Sequence, residues 1–418
     1  MGKPAGTSSA ALFWRFWTAE TASTMGSAVT GVALPLVAVT VLHATPFEMG
    51  VLSAAGYVAW LVIGLPAGAF VQRLPLRSTQ VAMDAVRAVA VASVPLAWWW
   101  GELTIAHLVL AALVVSFGRV IYDTSAATLL PSIVEPARLQ SRNSLLAATG
   151  SVSDLAGPAL GGLLVQLLGA VATLIVDVVS YVVSGLLLTT IPEWRIATPA
   201  DRPAVRTLIR EGWFYVFRHP VLAPCLRFAT AINFVWGGQL ALFPIYLVRD
   251  LDAPVALVGL LLASEGAGAL AGAGLTARAT RAVGTARALV VAGFAATAGA
   301  LLLPLGAGVL GYVLFASGSI VFAGAVALFS VTHRTYQQTN IPIELLPRVV
   351  ATVRFVSFGA IPVGALLGGA LGGLVGSRVA LVLLGVATVL APLALLMSPV
   401  RHKRDLAEEP GGRNRYRG

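Results

Sequence analysis

GPALGGLLVQLLGAVATL (residues 157–174) and GALLGGALGGLVGSRVAL (residues 364–381) are two versions of one phrase, 207 positions apart. Each is about as long as one bilayer crossing, and the two together carry a single charge, Arg378. Each is preceded by a proline-bearing loop with an arginine at its end, Pro131 to Arg142 and then Pro342 to Arg348. A basic loop after the second helix of each half, QRLPLR (72–77) and ARATRAVGTAR (277–287), repeats the plan once more. Two parallel repeats of membrane helices with a site between them is a transporter architecture.

The rest of the chain has the matching composition. Of 418 residues, 57% are hydrophobic and 11% charged, with mean hydropathy +0.86, against about 25% charged in a soluble domain. Hydropathy breaks predict spans at 12–42, 49–71, 80–99, 105–129, 144–168, 170–191, 220–247, 255–277, 287–305, 309–332, 349–375 and 379–398. The fold class is therefore an all-α membrane protein with twelve transmembrane helices in two six-helix pseudo-symmetric bundles. The predicted organisation is an N-terminal bundle at 1–191, a linker at 192–219, a C-terminal bundle at 220–398 and a basic tail at 399–418. The opening MGKPAGTSSAALFWRF lacks a cleavable signal pattern, so the first helix is expected to be retained.

The net charge of +10 comes from 26 arginines and two lysines scattered among apolar segments. No basic face with interleaved aromatics forms, so nucleic acid is not an expected partner. The cations carry topology instead. The termini, the linker and the loops after even-numbered helices hold 22 of them, among them Arg15, Arg73, Arg77, Arg138, Arg142, Arg218, Arg281 and Arg287. The opposite face holds only Arg249 and Arg378, and four arginines lie inside helices. Basic loops stay in the cytoplasm, so both termini are expected there, in a bacterial inner membrane. The tail from Arg401 to Arg417 is expected to be an orientation anchor with a disordered end, or to touch anionic lipid.

Lone Cys225 excludes an intrachain disulfide and a multi-cysteine metal site, and the five histidines lack ligand spacing. There is no G-x-x-x-x-G-K-[ST] phosphate loop and no nucleophile elbow. Neither enzyme activity, metal nor cofactor is expected. Glycine recurs every four residues in the second (Gly64, Gly68), fifth (Gly157, Gly161), eighth (Gly268, Gly272) and eleventh helices (Gly364, Gly368, Gly372, Gly376). Small residues let membrane helices approach; the stripes predict either ordinary packing or a smooth surface on which one half rocks against the other.

Four segments together resemble the major facilitator superfamily, and within it the bacterial branch of macrolide-efflux and enterobactin-exporter-like proteins. They are FWRFWTAETASTMGSAVTGVALPL (13–36), PAGAFVQRLPLR (66–77), GPALGG (157–162) and HRTYQQTNIPIELLPRVVATVRF (333–355). The resemblance implies that Gly157, Pro158, Gly161 and Gly162 form the fifth-helix motif associated with antiporters. It implies that PAGAFVQRLPLR is the loop whose carboxylate locks a gate onto a fourth-helix arginine. Here Gln72 stands at the acidic position and Pro75 at its second glycine, while Arg73 and Arg77 remain. Arg119 lacks the loop partner; Asp123, and the pair Asp84 and Arg87, lie at spacings that allow local ion pairs instead.

An ionisable group at the bilayer centre costs at least ~2.5–3.5 kcal/mol, so each is a functional candidate. Asp154 and Glu265 lie roughly 15 Å into the fifth and eighth helices, with no cation within a turn; Asp177 is mid-span in the sixth, and Glu20 enters on the first. Each is a proton-coupling candidate, or a hydrogen-bonded structural carboxyl. The resemblance places the fifth and eighth helices against each other between the halves, and a cavity among the first, fourth, seventh and tenth. Its predicted lining is Trp17, Glu20, Thr24, Arg119, Tyr122, Asn233, Trp236, Gln239, Phe322 and Phe329, which suits an amphipathic organic molecule. The expected function is proton-driven export of such a compound by a monomer whose partners are the substrate, protons and membrane lipid. Import or uniport by the same fold, and a non-transporting scaffold or sensor, are the alternatives.

Overall fold

The computed structural model describes residues 9–64, 66–71, 73–194, 205–342 and 345–407. Among them, twelve helices are long and apolar enough to cross a membrane. They are Ala10–Val41, Pro46–Ile63, Leu76–Trp99, Ile105–Ile133, Ala137–Leu168, Ala170–Thr189, Leu222–Asp250, Val255–Val283, Thr285–Leu302, Gly308–Asn340, Arg348–Val375 and Ser377–Leu396, here called the first to twelfth spans. Several helices outrun their hydropathy signal. The fifth starts at Pro136 rather than 144, and the eighth and tenth end at Val283 and Asn340 rather than 277 and 332. Hydropathy stops where lipid would stop, whereas a helix stops where its end groups find other partners. The second span, predicted to reach 71, breaks before Pro66 and resumes as a short helix, Ala67–Val71. Proline there removes a backbone donor and disfavours helical geometry in the residue before it.

Local signatures recur in the two halves. The first span ends in a π-helical turn, Val37–Val41, followed by His43 at φ 53°. The seventh ends likewise at Tyr246–Asp250, followed by Asp252 at φ 50°. His and Asp are among the few side chains that tolerate this left-handed geometry. Gly169 joins the fifth and sixth spans at φ 86°, and Gly376 joins the eleventh and twelfth at φ 85°. Both sit at the same place in the repeated phrase, where only glycine enters without strain.

The packing resolves into two six-helix bundles. In the first half, the first span packs on the fifth and sixth, the third on the fourth and sixth, and the second on the fourth. In the second half, the seventh packs on the eleventh, and the tenth on the eighth and ninth. The principal junctions between halves are second with eleventh and fifth with eighth. A helix not expected in the linker, Val205–Arg218, lies on the eleventh span. Within the tail, Pro399–His402 forms a short helical turn, with Val400 and Leu406 buried; the expected disordered end, from residue 408 on, lies outside the described residues.

His219, between the linker helix and the seventh span, uses Nδ1 to accept from the Val221 and Leu222 amides, each at 3.2 Å. Burial, and then nearby Lys403, hold its pKa below the usual imidazole value. A group whose folded pKa is depressed contributes stability above its unfolded pKa, ~6.5, and loses it as pH falls through the folded pKa. Thermal unfolding at mildly acidic pH is therefore expected to cost the wild type more than His219→Asn, whose amide oxygen accepts at either pH; equal losses would remove this role.

Candidate functional site

Glycine decides how closely the halves approach. A Cβ added at Gly162 would lie 2.6 Å from Gly259 Cα, and one at Gly259 would lie 2.5 Å from Pro158 O. On the other junction, a Cβ at Gly50 would lie 2.6 Å from Ala365 O, and one at Gly369 would lie 2.6 Å from Pro46 O. These backbone contacts lie toward the end opposite the termini. The expected rocking stripes turn out to pack mostly inside each half. Gly157 and Gly161 meet Ala28 and Val29 of the first span, Gly268 and Gly272 meet Ile320 and Gly324 of the tenth, and Gly364 and Gly368 meet Phe234 and Gly238 of the seventh. Gly372 is an exception that reaches Pro46 as well as Leu242. One residue turns a helix face by about 100°, so the junctions fall to the neighbours, Gly162 and Gly369.

Toward the termini the fifth and eighth spans still approach at Gly266, where an added Cβ would lie 2.7 Å from Leu155 Cα and 2.9 Å from Asp154 O, and they part beyond it, where Cβ atoms at Gly150 and Gly274 would meet nothing within 4 Å. Asp154 is exposed and Glu265 half-buried where they separate. Both act on the Tyr57 hydroxyl of the second span, as does Arg119 of the fourth. The Tyr57 ring meets Trp236 edge-on at 5.7 Å, and Trp236 lies near Glu265. Trp60 and Phe358 form a second edge-on pair across the second–eleventh junction at 6.2 Å. Arg119 pairs with Asp123 at 3.6 Å, their side chains 55% and 38% exposed. Half-buried Glu20 lies close to Tyr122 and within the fields of Asp123 and Arg87. The result is a gap between the halves with four carboxylates, one guanidinium and aromatic walls.

The other predicted cavity residues have varied surroundings. Phe322 and Phe329 are buried in the core of the second half, with Phe329 stacked on Phe228 at 4.0 Å. Gln239 is fully buried, with neither side-chain polar atom partnered. Tyr122 is buried under Arg87, 4.4 Å from its ring centroid. Half-buried Thr24 stays on the first span, Asn233 donates to Ala229 O at 2.9 Å, and Trp17 donates to Thr149 at 3.0 Å. Asp177 is buried beside the first span, accepting from Ser180 at 3.0 Å.

The two local ion pairs form, in different surroundings. Arg119 and Asp123 face the gap, whereas Asp84 and Arg87 are sealed inside the first bundle. Ser184 donates to Asp84 at 2.7 Å, and Arg87 donates to Ser23 at 3.3 Å. At the loop after the second span, Gln72 lies outside the described residues, Arg73 is exposed, and Arg77 pairs with Glu193 at 3.4 Å. Glu193 was not foreseen. Its carboxylate accepts from the Arg77 and Ser78 amides at 3.1 and 3.2 Å, capping the third span, while Leu76 N donates to Trp194 O at 3.0 Å. The second half repeats the clasp. Asp405 accepts from the Thr285 amide at 2.8 Å, capping the ninth span, while Ala286 N donates to Arg404 O at 3.0 Å.

A carboxylate on a helix N-terminus contributes about 0.5–2 kcal/mol. Glu193→Ala and Asp405→Ala are each expected to lower thermal stability by about that much, and additively because they sit in separate halves. Unfolding of the two single variants and the double variant measures both the size and the additivity.

Comparison with known proteins follows the same lines. Residues 6–416 match the profile of the family described as transmembrane secretion effectors. The multidrug efflux pump Tap of Mycolicibacterium fortuitum is 27% identical over 398 residues, covering 92% of this chain and 95% of the relative. The uncharacterized MFS-type transporter YvqJ of Bacillus subtilis is 25% identical, covering 83% and 82%. Among solved structures, the nucleoside transporter NupG aligns with TM-score 0.74 at 13% identity, covering 92% of this chain and 98% of that one. A bacterial homologue of the iron transporter ferroportin, in an inward-facing state, aligns with TM-score 0.74 at 14% identity, covering 94% and 99%. These two likenesses bear on fold alone. With twelve spans in two repeated bundles and a family match along nearly its whole length, the chain belongs to the transmembrane secretion effector family of major facilitator transporters.

Proposed function

We propose that this transporter exports a small amphipathic organic compound in exchange for protons. The observation that carries the reading is the position of Asp154 and Glu265, on facing spans where the two halves separate. Closing the gap at the termini end would remove water from Asp154, and an ionised carboxylate resists dehydration strongly. A proton on the carboxylate removes that resistance, so proton uptake and closure at that end favour each other. Substrate would rest against Tyr57, Trp236, Trp60 and Phe358, with Glu20, Asp123 and Arg119 nearby. The relatives named multidrug efflux pumps support an efflux direction. The arginine asymmetry supports cytoplasmic termini in a bacterial inner membrane, so the gap would open to the cytoplasm. The working unit would be a monomer divided as 1–191, 192–219, 220–398 and 399–418, needing no metal or cofactor.

Proton-coupled efflux in everted vesicles, collapsed by a protonophore, is the expected behaviour. Asp154→Asn and Glu265→Gln are each expected to cut coupled efflux at least several-fold while leaving protonophore-insensitive substrate binding in place. Full pH-dependent efflux in both variants would refute the coupling assignment. Uptake into whole cells would refute export, and failure of the wild type to move any compound would leave a scaffold or sensor.

A further inference from the structure

The linker helix Val205–Arg218 has two unlike sides over residues 210–218, where its side chains are described. One side is committed to the second half. Val216 is fully buried, a Cβ at Gly212 would lie 2.7 Å from Arg348 O, and Glu211 pairs with Arg348. The other side presents Trp213, Phe214 and Phe217, exposed by 42%, 51% and 40%. Trp213 and Phe217 stack at 4.5 Å, and the Arg218 guanidinium lies 5.2 Å from the Phe214 ring centroid. Arg210 is exposed one turn from both aromatic rows. Spacings of three and four put these five residues on one broad face.

The height of this face identifies what covers it. Arg348 and Thr352, which hold Gly212, belong to the first turns of the eleventh span. The helix therefore lies beside the boundary between hydrocarbon and headgroups. Aromatic rings concentrate at that depth, and a helix with an apolar face and flanking arginines lies in the interface plane. Arginines there attract anionic headgroups. We propose that residues 210–218 form an interfacial anchor, with Trp213, Phe214 and Phe217 set into the headgroup layer and Arg210 and Arg218 on anionic phospholipid. Because Glu211 and Gly212 clamp the helix to the eleventh span, the anchor holds the second half at a fixed depth while the first half moves.

Spin labels on full-length protein in nanodiscs test this. The native Cys225 is fully buried and stays unlabelled, so labels report Phe214→Cys and Phe217→Cys, with exposed Ala282→Cys in the last, arginine-flanked turn of the eighth span as the aqueous reference. The ratio of collisions with oxygen to collisions with a water-soluble nickel chelate is expected to be several-fold higher at 214 and 217 than at 282. Equal ratios would place the face in water, and protection from both reagents would place it under protein; either overturns the anchor. For the ionic part, phosphatidylglycerol is expected to stabilise the wild type against heat relative to phosphatidylcholine alone. Arg210→Gln with Arg218→Gln should lose at least half of that increment, and an undiminished increment overturns the assignment of these two arginines.

Discussion

Gly162→Ala is expected to abolish most transport while leaving the two bundles folded. The added methyl would sit 2.6 Å from Gly259 Cα and 2.9 Å from Gly259 N, both backbone atoms that no rotamer change can move. Only the fifth and eighth spans themselves can yield, by separating. Forcing an extra methyl into packed structure costs about 1–3 kcal/mol. At ~1.4 kcal/mol per tenfold, the closed junction would become roughly five- to a hundredfold rarer. Packing within each half is untouched, so thermal stability should stay near that of the wild type. Two neighbours serve as controls. Gly150→Ala meets nothing within 4 Å and should be silent, and Gly161→Ala presses on Val29 and Val32 of the first span, so it should act on stability first. Efflux paired with unfolding in these three variants separates junction from core. Normal transport in Gly162→Ala would mean that the junction opens no differently during the cycle.

The same glycines show how far the sequence carries. The twelve spans and the twofold plan were legible because hydropathy and a 207-residue offset are properties of the chain in one dimension. The ion pairs Asp84–Arg87 and Arg119–Asp123 were legible for the same reason, since a helix brings residues three and four apart together. Which face of a helix meets which neighbour was not legible. Gly161 and Gly162 differ by one residue, yet one packs on the first span and the other on the eighth. Nothing in the phrase GPALGG distinguishes them.

Aromatic residues divide in the same way, and of those predicted Trp236 meets Tyr57 across the junction. Phe322 and Phe329 have the right span for a cavity but the wrong face, whereas Tyr57, Trp60 and Phe358 line the junctions from spans not considered. Glu193 and Asp405 accept from helix-start amides 116 and 120 residues earlier, a proximity no local pattern reveals. A signal was nevertheless present. They follow the sixth and twelfth spans at nearly the repeat offset, so one clasp predicts the other once either is seen.

Arg87→Met is expected to be the most destabilising single substitution in the first half. Arg87 and Asp84 side chains are 3% and 1% exposed, so the pair is out of solvent. Arg87 also lies 4.4 and 4.5 Å from the ring centroids of Tyr122 and Tyr181, which contribute through their π faces. Removing the cation leaves a buried carboxylate whose remaining donor is Ser184, a situation that costs about 3–5 kcal/mol. Asp84→Leu combined with Arg87→Met removes both charges together and should recover a large part of that loss, because apolar replacement of a complete buried pair is often near neutral. The cycle thus has a sign as well as a size. It also separates two roles for the pair. Among the described residues its partners come from the first, fourth and sixth spans and none from the second half, so it has no direct means of sensing whether the gap is open. Stability should therefore fall and recover through the cycle, while the pH dependence of transport per folded molecule stays unchanged. A double variant with restored stability and altered pH dependence would instead make Asp84 and Arg87 part of the coupling machinery, reached through Tyr122 and Glu20.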